Sequence, residues 1–190
     1  MILRTIAWVA AVVYSTIPSY WLLVHPRAAR WAARGGRRLM LIGPVWLILW
    51  VVAGSITWPW RLVTFYDTRW TWVPGGLLIA TGLVIYGFAY QNFSADQLLG
   101  RAELEPHKHV QALSTRGIRA HIRHPYYLGH LCELIGWAAA TGLVVVYALT
   151  VFAVITGHFM IKAEERELAQ RFPDYSAYQA RTAAMFPGVW

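Results

Sequence analysis

The sequence predicts an all-α polytopic membrane protein of about five transmembrane helices. Its last two helices form a hairpin, and a cytoplasmic helix follows. Three observations carry this prediction. The chain is 57% apolar and only 14% charged, where soluble domains run nearer about 25% charged. Five apolar segments are separated by polar, basic stretches. Eleven tryptophans suit a chain with two membrane–water interfaces. The 190 residues are enough for a single membrane domain, residues 1–190.

The first segment, Thr5–Val24, holds Pro18, a kink position. It ends on His25-Pro26-Arg27 without a small-x-small cleavage site, which favours a retained helix over a signal peptide. Leu39–Thr57 carries no charge, and Trp70–Tyr90 completes the three N-terminal spans within residues 1–90. A polar loop, 91–125, follows; its length without linker composition marks it as functional. Tyr126–Thr141 is short for a span and carries His130 and Glu133. Leu143–Ile161 carries His158. Together these two make the hairpin, 126–161, broken at Thr141-Gly142. The tail, 162–190, places Leu168, Phe172, Tyr175 and Tyr178 at helical spacing, so Lys162–Ala184 reads as an amphipathic helix that Pro173 interrupts.

Basic residues set the orientation. Arg27, Arg30, Arg34, Arg37 and Arg38 fill the first loop. Arg101, Lys108, Arg116, Arg119 and Arg123 fill the third, and Lys162, Arg166, Arg171 and Arg181 the tail. Only Arg4, Arg61 and Arg69 fall on the other side. The positive-inside rule places the N-terminus outside and the C-terminus in the cytoplasm. Trp58, Trp60, Trp70 and Trp72 rim the outer loop as an interfacial belt. The net charge of +8 is thereby explained by topology, and no nucleic-acid groove is expected. Cys132 stands alone, which excludes an internal disulfide framework.

Two polar clusters bracket the hairpin. Arg123-His124-Pro125-Tyr126-Tyr127 precedes it, and Glu164-Glu165 follows it after about 36 residues. A stretch of that length crosses a bilayer and returns, so both clusters meet at one membrane face. Pro125 suits the first turn of a helix, whose free N–H groups and positive end gather beside Arg123 and His124. Arg123 offers a fork for a carboxylate, although an arginine at a helix end also snorkels to lipid phosphate. Tyr127 lies one turn on, on much the same face. One of Glu164 and Glu165 could accept from an ammonium or a ribose, the other being a solvated charge or an ion-pair partner. His130 and Glu133 lie one turn apart at membrane depth, where ionisable groups are costly and point to function; mutual pairing is the alternative. The whole forms a pocket for a charged cofactor serving a lipid-soluble substrate.

Metal binding is the rival chemistry, since His107-x-His109, His121, His124, His130 and His158 could all ligate. No HExxH or comparable motif supports it, and P-loop and Rossmann glycine patterns are absent. No metal site is assigned.

Arg123-His124-Pro125-Tyr126-Tyr127-Leu128-Gly129, Glu164-Glu165-Arg166-x-Leu168, Phe172, Tyr175-x-x-Tyr178, Arg181-Thr182 and Phe186-Pro187 together resemble the isoprenylcysteine carboxyl methyltransferase family, which groups with membrane phospholipid methyltransferases. The resemblance covers roughly residues 113–187. It implies a five-span enzyme using S-adenosylmethionine at the cytosolic face. His124, Tyr127, Glu164 and Glu165 would line the cofactor pocket, and Arg123 would serve the cofactor or the acceptor. The chain departs from the pattern at Arg119, where an aromatic residue is usual. Phe172-Pro173-Asp174-Tyr175 is one residue shorter than usual, and Ala184 stands where a basic residue is common. Membrane sterol reductases share a related C-terminal half but carry Asn where Tyr126 stands, which favours methyl transfer over nicotinamide-dependent reduction. A non-catalytic membrane binding or transport protein is a further reading.

Transfer from a sulfonium needs alignment and exclusion of water more than acid–base chemistry. An isoprenylcysteine-type carboxylate acceptor is already ionised, whereas a phospholipid amine needs a base, for which His130 and Glu133 are candidates. The partners implied are the membrane and a lipid or prenylated small molecule; the sequence leaves the oligomeric state open.

Overall fold

The computed structural model describes residues 1–27, 30, 33, 39–91 and 112–187. It is helical throughout its described core: α1 (Ile2–Val24), α2 (Leu39–Thr57), α3 (Trp72–Tyr90), α4 (Pro125–Thr141), α5 (Val144–Arg171) and the short α6 (Tyr175–Gln179). Among the described residues, four helices, α1, α2, α3 and α5, are long and apolar enough to cross a bilayer. The fourth apolar segment is the exception. At 17 residues it is about 25 Å long, short of a hydrocarbon core of about 30 Å. It also carries the buried Glu133. Protein rather than lipid covers much of it, because α3, α1 and α5 all pack against it.

The α3–α4 contact is built on glycine. A Cβ on Gly75 would lie 2.6 Å from Gly136 O, and one on Gly82 would lie 2.8 Å from Gly129 O. The two pairs recur every seventh residue in opposite directions along the helices, so the backbones approach antiparallel at a shallow angle. Small residues allow this approach where lipid offers no hydrophobic gain from helix association.

Gly142 ends α4 in the left-handed conformation (φ +66°), its N–H donating to Ala138 O at 2.9 Å, as helix C-caps demand. The tight turn into α5 is sewn to the α2–α3 loop. Phe65 N–H donates to Gly142 O (2.8 Å), and Val144 N–H to Val63 O (3.0 Å). Tyr66 Oη sits 2.7 Å from Ala139 O and 2.8 Å from Tyr147 Oη. The start of α1 joins the same end, through Arg4–Asp67 (2.7 Å) and Trp8 Nε1–H to Thr57 Oγ1 (2.9 Å).

At the opposite end stand the C-terminus of α1, the start of α4 and the last turns of α5. Here the tail differs from the sequence expectation. No separate helix begins at Lys162; α5 runs on unbroken to Arg171, 28 residues in all, about 42 Å. It stops before Pro173, whose ring cannot continue the ladder. Tyr175 and Tyr178 then bury their rings from α6.

Candidate functional site

His124 is the residue before α4, held extended enough (φ −118°, ψ 60°) that Pro125 can open the helix. The tail fixes it there. Arg123 N–H donates to Ala183 O (2.9 Å), His124 N–H to Ala184 O (2.9 Å), and Ala183 N–H to His121 O (3.0 Å). Residues 182–185 thus act as a strap, with a single strand-like bridge at Ala183 across the mouth of the hairpin.

The two predicted clusters meet. His124 Nδ1 lies 3.4 Å from Glu164 Oε2, and its Nε2 lies 3.2 Å from Glu165 Oε1. Carboxylates therefore face both ring nitrogens. Burial pulls the His124 pKa down, but Glu164 and Glu165 outweigh it and hold the pKa above its ordinary 6.5, so the imidazolium is favoured. Tyr127 stacks on the same imidazole, centroids 5.7 Å apart.

The glutamates differ. Glu165 Oε1 accepts from Arg123 Nε (2.7 Å) as well as His124, and its Oε2 accepts from Gln179 Nε2 (2.9 Å). It is fully engaged with protein. Glu164 Oε2 is buried and in ionic contact with His124 at a distance too long for a well-aligned hydrogen bond, and Tyr127 acts on the same carboxylate. The Tyr175 hydroxyl is buried without a hydrogen-bond partner among the described residues.

Arg123 is put to a different use from the one its sequence position suggested. Its guanidinium is committed to protein: Nε to Glu165, Nη1 to Gln179 O at 3.1 Å and to Thr182 O. It ties α5 to the strap. Arg119, the departure from the family pattern, is also buried. Its Nη1 donates to Arg123 O (3.0 Å), and its own carbonyl accepts from the Tyr178 hydroxyl (2.6 Å). The position thus braces the loop.

Below the polar cluster opens an apolar cleft between α1, α4 and α5 with about 620 Å³ of free space, part of it open to the surroundings. Tyr127 and His130 line it from α4, Tyr14 and Pro18 from α1, His158 from α5, and Met185 from the strap. His130 and Glu133 part company. His130 faces the cleft, whereas Glu133 packs against Gly82 of α3, beside Tyr14 and Tyr86. The mutual pairing considered for them is not formed, since His130 Nδ1 bonds to Tyr126 O instead (2.6 Å). His107 and His109 lie outside the described residues. Neither the strap nor the contribution of α1 leaves a periodic signal in sequence.

With this geometry in place, comparison with known families is decisive. The phospholipid methyltransferase family matches residues 70–174, which spans α3, α4, α5 and both polar clusters. The chain belongs to the phospholipid methyltransferase family. The family's description is of phospholipid methyltransferases, and the motifs around His124 and Glu164 fall within the matched residues. The chain is also similar to the cobalt-zinc-cadmium resistance protein CzcN of Cupriavidus metallidurans, 30% identical over 141 residues. That similarity covers 67% of this chain and 62% of the relative, so the chain spans less than two thirds of the relative's length. No solved structure matches the chain.

Proposed function

We propose that the protein is an S-adenosylmethionine-dependent methyltransferase acting on a lipid-soluble acceptor, with its site on the cytoplasmic side of the membrane. The observation that carries this reading is the cluster of buried His124 with the partly buried Glu164 and Glu165, set beside an apolar cleft. Polar groups for a charged cofactor and an apolar channel for a lipid meet at Tyr127.

The residues fit the cofactor. Glu164 Oε2 is a buried carboxylate oxygen that His124 Nδ1 approaches only to 3.4 Å, so it has capacity left for an ammonium or a ribose hydroxyl. Glu164, His124 and Tyr127 would hold the cofactor, and Tyr175 adds a hydroxyl to the same cluster. Bound there, S-adenosylmethionine supplies a methyl group already activated on sulfur. Glu165 and Arg123 act as positioning residues: they lock His124, α5 and the strap into one frame. The apolar cleft excludes water and aligns the acceptor, and alignment is where most of the rate would come from.

The test is incorporation of labelled methyl from S-adenosylmethionine by the purified protein in lipid nanodiscs. Label is expected in the organic-extractable fraction and should vanish with Glu164→Gln. Oxidation of NADPH in the same preparation, with no methyl incorporation, would establish the reductase reading instead.

A further inference from the structure

The acceptor's chemistry can be read from His130. Its Nδ1 lies 2.6 Å from the Tyr126 carbonyl. A carbonyl oxygen only accepts, so Nδ1 carries the proton. The neutral ring then keeps its lone pair on Nε2. That nitrogen has no protein partner among the described residues and is not sealed into the packing, while the residue lines the cleft. Two tyrosines clamp the ring edge-on, Tyr14 at 5.1 Å and Tyr86 at 5.2 Å between centroids. The tautomer and the orientation are therefore both fixed, as a base requires.

His130 also stands one helical turn from Tyr127 on the cleft wall, and Tyr127 stacks on His124 of the cofactor cluster. Glu133, the other candidate base, is turned to α3 and does not line the cleft. Among the lining residues, no lysine or arginine is present to receive a carboxylate. The fork of Arg123 is committed to Glu165, Gln179 O and Thr182 O.

We propose that the acceptor carries a proton on its attacking atom, as an apolar-tailed amine, phenol or thiol does, and that His130 Nε2 removes it. This rests on the methyltransferase reading above. The acceptor atom forms a bond to the methyl carbon of the sulfonium donor, the carbon–sulfur bond breaks with its electron pair left on sulfur, and the acceptor's proton passes to Nε2. The product imidazolium returns the proton to water through the open side of the cleft.

The experiment compares decylamine, 4-decylphenol, decanethiol and decanoic acid as acceptors in nanodiscs, with wild type and His130→Asn. Asparagine keeps a donor toward Tyr126 O but has nothing at the Nε2 position. Wild type should methylate at least one of the proton-bearing acceptors, and decanoic acid at least 10-fold more slowly. In His130→Asn, kcat should fall by about 100-fold or more, the range of general-base catalysis, and the acidic limb of the pH–rate profile should disappear. Affinity for S-adenosylhomocysteine, measured by calorimetry, should stay within about twofold. Tyr14 from α1 and Tyr86 from α3 pack on the His130 ring, with Glu133 on the far side of those two tyrosines, and Tyr127 from α4 and His158 from α5 share the cleft wall; His158→Asn should leave the acidic limb in place. A binding readout without donor completes the set: the preferred acceptor should raise the thermal midpoint of wild type but not of His130→Asn. Preferential methylation of decanoic acid by wild type overturns the proposal without touching the methyltransferase reading, as does His130→Asn turning over normally. Should His130→Asn fail to bind S-adenosylhomocysteine, the acceptor preference of wild type alone decides. Failure of wild type itself to bind S-adenosylhomocysteine would overturn the methyltransferase reading and this inference with it.

Discussion

His124 Nε2 lies 3.2 Å from Glu165 Oε1, an oxygen that also accepts from Arg123 Nε at 2.7 Å. One carboxylate oxygen therefore joins two consecutive residues of the loop to the last turns of α5. With Glu164 on the other ring nitrogen, the imidazole is the keystone of the membrane-face cluster, and its charge becomes a determinant of stability.

A pH dependence follows. The folded-state pKa of His124 is raised by Glu164 and Glu165 against the pull of burial. A raised value means the folded state binds the proton more tightly than the unfolded chain. The resulting stability is full below the ordinary value near 6.5 and is lost as pH climbs through the raised folded value. The thermal midpoint of the detergent-solubilised protein should fall from pH 6 toward pH 9, and His124→Asn should flatten that slope. A wild-type midpoint that rises across this window would contradict the assignment.

Arg123 should behave as a structural clamp. Arg123→Ala strips the partly buried Glu165 of one of its two cations, His124 remaining, and should cost about 1.5–3 kcal/mol, the range for a hydrogen bond to a charged group. Arg123→Lys keeps the charge but cannot span Glu165, Gln179 O and Thr182 O together, so an intermediate loss is expected. Both should weaken S-adenosylhomocysteine binding through the misplaced strap. Denaturation midpoints together with calorimetry check this; a selective effect on acceptor KM with normal stability would return Arg123 to the acceptor.

Much of the architecture was legible in the sequence, for reasons visible in particular residues. Hydropathy located α1, α2 and α3 because lipid imposes one length on every span. The convergence of His124 with Glu164 followed from the number of residues a there-and-back crossing consumes. Pro173 stopped its helix as its ring requires. Other features left no such mark. The strap at Ala183 and Ala184 pairs through backbone groups, which any side chains permit. The extension of α5 past Ile161 was hidden because the switch from apolar to charged residues at Lys162 marks the edge of the membrane and not the end of a helix. In sequence Arg123 reads as a fork for the cofactor or the acceptor, or as a lipid anchor, because its partners come from residues 165–182, whose placement only the fold reveals. The Gly75, Gly82, Gly129 and Gly136 register was present as a seven-residue spacing in two segments, a signal available but unread.

That register yields a packing prediction. A Cβ on Gly129 would lie 2.6 Å from the Tyr86 ring and 3.2 Å from Gly82 O. Gly129→Ala should destabilise by about 1–3 kcal/mol, the range for overpacked cores. Gly76→Ala, with nothing within 4 Å of its Cβ position, should be neutral or slightly stabilising in its helix. Equal midpoints for the two variants would show that α3 and α4 do not pack as described.

The proposed orientation has its own check. The α2–α3 loop and the α4–α5 turn lie at one end of the bundle, the cluster at the other. A reporter fused after Trp190 should be active as a cytoplasmic fusion, and one inserted near Thr64 as an external one. The reverse pattern would put the cluster away from the compartment where S-adenosylmethionine is made.

The most direct test of the account is calorimetric titration of the purified protein with S-adenosylmethionine and S-adenosylhomocysteine, with NADPH alongside. The account predicts micromolar binding, about −8 kcal/mol, for both sulfur cofactors. Glu164→Gln, which removes the carboxylate charge, should lose that binding, and NADPH should not bind. Binding of NADPH with none of either sulfur compound would contradict it.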